Sequence, residues 1–129
     1  MKTHLSVLIL SISIFSLIGC SSSPITRESH SNKFNLLKSG TVKKENVESF
    51  KNCLVEGFEV KNRIAYNVQT NLKITSYGYR LDSVGGETYL LMSVDIFNSG
   101  KTQLLKLKKD ELTDLSQQIR SFDSCLSKY

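Results

Sequence analysis

Apolar positions recur at helical spacing over two stretches of the chain and alternate over three others. Within residues 43–58, Val47, Phe50, Leu54 and Phe58 fall three or four apart, which places them on one face of a helix. Thr41 stands where an N-cap belongs, Glu45 and Glu48 lie near the positive end of the helix dipole, and Gly57 marks an end. Within residues 110–128, Leu112, Leu115, Ile119, Phe122 and Leu126 draw a second stripe, with Asp110 as N-cap and Lys128 near the C-terminus.

Between these helices the pattern changes to strand character over residues 72–82, 88–98 and 102–108, punctuated by Gly85-Gly86 and Ser99-Gly100. Two-residue turns at both places pair Leu81 with Leu90, Tyr79 with Met92 and Tyr77 with Val94, then Val94 with Leu105 and Met92 with Leu107. Both turns select one apolar face, made by Tyr77, Tyr79, Leu81, Leu90, Met92, Val94, Ile96, Leu105 and Leu107. The other face carries Ser76, Arg80, Asp82, Ser93, Asp95, Lys106 and Lys108. A slip of one residue would exchange the two faces. The expected architecture is therefore α+β: a two-layer sandwich in which an antiparallel three-stranded meander holds an N-terminal and a C-terminal helix on one face. Ile64, Tyr66 and Val68 alternate and suggest a possible fourth strand.

The N-terminus follows another rule. Lys2 is succeeded by residues 5–18, which contain neither a charge nor Pro. A spanning helix needs about 20 apolar residues, so a run this short fits a secretory h-region that is later removed. The run closes in Leu17-Ile18-Gly19-Cys20, which resembles the lipobox of bacterial lipoproteins. That resemblance covers residues 1–20. It implies cleavage after residue 19, diacylation of the Cys20 sulfur and acylation of the new amino group, palmitate being a typical chain. More than one chain is what stable anchoring requires, at about 0.8 kcal/mol per buried methylene. Ser21, where inner-membrane members carry Asp, implies the outer membrane, facing the periplasm.

Residues 20–33 are rich in Ser and hold the one Pro of the chain, Pro24. They read as a lipidated Cys and a flexible tether spanning on the order of 20 Å. Residues 34–129 then form a single globular domain. Cys53 and Cys125 remain, and an exported protein meets an oxidising compartment in which an even pair joins. The loop so closed, about 73 residues, restricts the unfolded chain by roughly 4 kcal/mol. The order helix, sheet, helix with a Cys in each helix also loosely resembles small proteobacterial lipoproteins, a likeness that implies no activity.

Composition narrows the function. The chain has 129 residues, 40% apolar and 22% charged, with 17 Lys plus Arg against 12 Asp plus Glu. That suits one domain and disfavours wholesale disorder. Of its two His, His4 falls in the segment to be removed and His30 in the tether, so neither is placed for acid–base work. No phosphate-binding Gly loop is present, and no metal site is expected once both mature Cys are oxidised. No catalytic residue, metal or other cofactor is therefore expected. Nucleic acid is disfavoured by export, although a pI of about 9.2 would permit it. Lys43, Lys44, Lys106, Lys108 and Lys109 form modest basic clusters. Ile74, Tyr89, Leu91, Phe97 and Leu104 add apolar area to the polar sheet face and are the candidate partner-binding residues. The leading expectation is a non-catalytic envelope lipoprotein, held to the membrane through lipid on Cys20 and binding an envelope protein or peptidoglycan. An inhibitor or superinfection-exclusion lipoprotein of phage or plasmid type is the alternative, with the hairpin tip at residues 84–87 as its contact. A small periplasmic enzyme is the third.

Overall fold

A computed structural model describes residues 26–28, 30–59, 68–86, 89–110 and 113–129. The expected signal segment 1–19, Cys20, and the residues Ile64, Tyr66, Glu87 and Leu112 lie outside the described residues. Strand β1 (Phe34–Thr41), helix α1 (Val47–Glu59), strands β2 (Val68–Thr75), β3 (Gly78–Gly85), β4 (Tyr89–Phe97) and β5 (Lys101–Leu107), and helix α2 (Ser116–Lys128) follow in order. The strands make one antiparallel sheet in the order β1-β5-β4-β3-β2. The fold is α+β with five strands, not three or four.

Both additional strands were hidden for physical reasons. In β1 the register shifts between Leu36 and Lys38, so the strand carries a bulge and fails a strict alternation test. The expected strand at 72–82 is two strands, because a tight turn at Ser76-Tyr77 closes Thr75 on Gly78. Gly78 has φ +147, and a Cβ there would lie 2.1 Å from the Ile96 carbonyl oxygen, so no other residue fits this turn.

The turns also decide the register. Leu81 pairs with Val94 and Tyr79 with Ile96, four residues from the expected pairing, and an even displacement leaves the faces intact. At the next turn the loop has three residues, with Gly100 at φ +96 and its N–H donating to the Phe97 carbonyl at 2.9 Å. Such loops place a glycine in the left-handed region as a bulge. The extra residue pairs Val94 with Leu104 rather than Leu105. Leu104 is consequently buried beneath the helices, while Leu105 and Leu107 move to the opposite face, where they pack with Phe34, Leu90 and Val84. A further register shift between Ser83 and Val84 puts the consecutive residues Leu91 and Met92 in the same helix-side core.

The helices differ from expectation at their starts. A 3-10 turn (Lys44–Asn46) precedes α1, and Thr41 ends β1 rather than capping the helix. Helix α2 begins six residues after Asp110, whose carboxylate instead accepts the Thr113 N–H at 3.1 Å and the Thr113 hydroxyl at 2.9 Å, closing the preceding turn. Gly57 does not stop α1. A Cβ at that position would come within 2.7 Å of the Ser121 side chain, so its absence lets the two helices approach. One turn away, Cys53 and Cys125 form the disulfide, and the contacts 53–125 and 57–121 show that the helices run antiparallel. Phe50 and Phe122 meet edge to face at 6.1 Å against Leu81, Val94, Ile96 and Leu104, all fully buried. Burying each such side chain stabilises the fold by roughly 1.5–3 kcal/mol. Among the described residues no helix is long and apolar enough to cross a membrane.

Candidate functional site

The face of the sheet away from the helices holds a concentration of ionised side chains at its β2–β5 end. Pairing sets Arg80 opposite Asp95, Asp82 opposite Ser93 and Asp95 opposite Gln103, so alternation delivers all of them to one side. Asp82 is 2% and Asp95 1% exposed. Carboxylates so deeply buried are costly unless paired and hydrogen-bonded, and here the partners come partly from outside the sheet.

Residues 26–28 lie against this face as a strap. Arg27 Nη1 sits 2.6 Å from Asp95 Oδ2 and donates to Ser93 Oγ at 3.2 Å. Asp95 also accepts the Tyr77 hydroxyl at 2.7 Å and Gln103 Nε2 at 2.9 Å. Next to it, Glu28 accepts from Arg80, whose Nε is 3.4 Å from Asp82 Oδ1 in an ionic contact rather than an aligned hydrogen bond. Lys73 reaches Asp82 Oδ2 at 3.2 Å. Three cations thus face three carboxylates.

The titrations follow from these contacts. Burial, then the hydrogen bond to Asp95, pushes the Tyr77 hydroxyl above its ordinary value. Burial works against the charge on Arg80, but Glu28 and Asp82 outweigh it and the pKa rises. The hydrogen bond from Arg80, aided by one from its own backbone, holds Glu28 below 4.5. A depressed carboxylate contributes stability above its unfolded value and loses it as the pH falls through the folded one. Acidification below about pH 4.5 is therefore expected to weaken the Glu28–Arg80 contact of the strap. Carboxyl-carbon NMR checks this: Arg80→Gln should return the Glu28 midpoint to the ordinary range, and an unchanged midpoint would contradict the pairing.

Of the residues expected to bind a partner, the structure collects no common patch. Ile74 is 86% exposed but lies on the helix side of β2, opposite Tyr79. Tyr89 is exposed at the start of β4, whereas Phe97 is half-buried on the strap face, its ring 4.9 Å from that of Tyr77. Leu91 and Leu104 are core residues, withdrawn by the bulge and the three-residue loop. Composition alone gave no hint of Arg27 and Glu28, because their burial partners Asp95 and Arg80 are more than fifty residues away. No charge deficit signalled them, since the expected polar face already carried Arg80, Lys106 and Lys108 beside Asp82 and Asp95.

On the helix side, an open groove of about 470 Å³ runs over the disulfide between α1 and α2, with Glu56, Gln117, Arg120, Ser124 and Lys128 on its walls. Its walls are mixed in charge, with Glu56 set among Arg120 and Lys128. Among the described residues no group of three His, Cys, Asp or Glu is placed to hold a metal. No protein-family model, curated protein or solved structure matches this chain.

Proposed function

We propose that this chain is a non-catalytic lipoprotein of the bacterial envelope, anchored through acylated Cys20 and engaging another envelope component with its helical face. The observation that carries the reading is the strap. Arg27 and Glu28 tie the start of the domain to the polar sheet face, and only residues 21–26 separate them from Cys20. Seven steps of extended chain reach at most about 25 Å, so an anchored domain is held with that face near the bilayer. The groove between α1 and α2 then lies on the opposite side of the sheet, open to the periplasm at the outer membrane. The charged groups support binding rather than chemistry, since Asp82, Asp95 and Glu28 are each committed to a cation and none converges on the groove. The disulfide suits an oxidising compartment.

Labelled palmitate tests the anchor. Cells producing the protein are expected to incorporate label into a membrane-bound form, and Cys20→Ala should abolish the label while leaving the Cys53–Cys125 bond intact. Unlabelled protein recovered wholly in the aqueous fraction would overturn the proposal.

A further inference from the structure

The two edges of the sheet are built differently. β1 is interrupted by its bulge, and Lys38 is drawn onto Asp123 of α2. Bulges and charges of this kind are what prevent an edge from pairing with another chain. Among the described residues β2 has no bulge: all eight residues pair with β3 without a register shift, and its one charged side chain, Lys73, is drawn back onto Asp82 of its own sheet. It also carries the most exposed large apolar side chain of the described residues, Ile74, with Leu72 at 42% exposure two positions away on the same side. Because a two-residue turn closes Thr75 on Gly78, the alternate residues Thr70, Leu72 and Ile74 turn their N–H and C=O groups outward from the sheet.

We propose that β2 pairs antiparallel with β2 of a second copy of this chain, with Leu72 opposite the partner's Leu72 and Ile74 opposite the partner's Thr70. The strand is complementary to itself in this register. The outward backbone groups of residues 70, 72 and 74 meet one another, the two Leu72 side chains cover each other, and Lys73 lies opposite the partner's Asn71. Moving two residues one way would set Lys73 against Lys73, and two the other way would separate the Leu72 pair. An odd displacement would set outward groups against inward ones.

The symmetry is also specific. A two-fold axis through an antiparallel strand pair stands perpendicular to the sheet, so the dimer is one ten-stranded sheet with four helices on one side. Both straps lie on the other side. Two copies can therefore leave one membrane surface together; this last point rests on the anchoring reading, whereas the strand pairing does not.

Disulfide trapping in the full-length protein tests the pairing. Directly opposed residues in a hydrogen-bonded pair have Cα atoms about 5.5 Å apart, within disulfide range. Leu72→Cys is therefore expected to give a linked dimer under mild oxidation. Lys73→Cys, whose two copies would be about 8 Å apart, should give roughly tenfold less. Adding Ile74→Lys to Leu72→Cys should reduce the dimer severalfold without affecting the fold, since Ile74 touches little. The unsubstituted protein is run alongside, so that a dimer formed through a free Cys20 is recognised as a failure of anchoring and not of pairing. Equal dimer from positions 72 and 73, no dimer from Leu72→Cys, or its capture by a different protein would each overturn the proposal.

Discussion

Replacing Cys53 and Cys125 together by Ala is expected to destabilise the domain by about 4 kcal/mol. The cross-link joins residues 72 apart in sequence, so it removes a wide range of conformations from the unfolded chain. A domain of this size is typically stable by 5–15 kcal/mol, which makes the loss a large share of the total. The folded arrangement itself should survive. Phe50 and Phe122 still pack edge to face on the sheet, and Gly57 still admits Ser121. Urea denaturation would show a lower midpoint and a larger m-value, because the unfolded chain becomes less compact. A loss of less than about 1 kcal/mol would mean that the stabilisation lies elsewhere.

Leu104→Ala is expected to cost about 2–5 kcal/mol, against roughly 1–2 kcal/mol for Leu105→Ala. The two residues are neighbours of identical chemistry, and only the β4–β5 register distinguishes them. Leu104 is fully buried beneath the helices in the main core, whereas Leu105 is half-buried in the smaller cluster around Phe34 and Leu107. Truncation at 104 leaves a cavity that the packed helices cannot collapse to fill, while water reaches part of the space left at 105. Equilibrium unfolding of the two variants measures the difference. If the order were reversed, the loop at residues 98–100 would have two residues rather than three.

That comparison also marks how far the pattern of the chain can be read. The helical stripes were legible, because Phe50, Leu54, Phe58 and Phe122 occupy a 3.6-residue period that needs no partner to be recognised. So was the face of β3 and β4: Tyr79, Leu81, Met92, Val94 and Ile96 share a side despite a pairing four residues from expectation, since an even displacement preserves alternation. The fate of Leu104 and Leu105 was not legible, because Ser99-Gly100 is compatible with loops of two and of three residues. β1 was lost for a similar reason, its bulge setting two consecutive Leu residues where a strict alternation would place one.

The candidate site shows the same division. Polar residues at 80, 82, 93 and 95 were assigned to one face by alternation alone, but the face was expected to be open. What closes it is a segment whose composition reads as tether: Arg27 supplies the cation of buried Asp95, and Glu28 pairs with Arg80, contacts between groups more than fifty residues apart in the chain.

By itself the sequence determined the α+β class, the two amphipathic helices and the side of the sheet on which charge accumulates, which follow from periods within short windows, and the joining of Cys53 with Cys125, which follows from their being the one pair left once Cys20 is set aside. Only the tertiary structure decided the number of strands, the β4–β5 register, the bulge-free pairing of β2 and the docking of the strap. Each of those depends on groups distant in the chain meeting at a defined distance, or on a single residue of loop length whose free-energy difference local preferences cannot resolve.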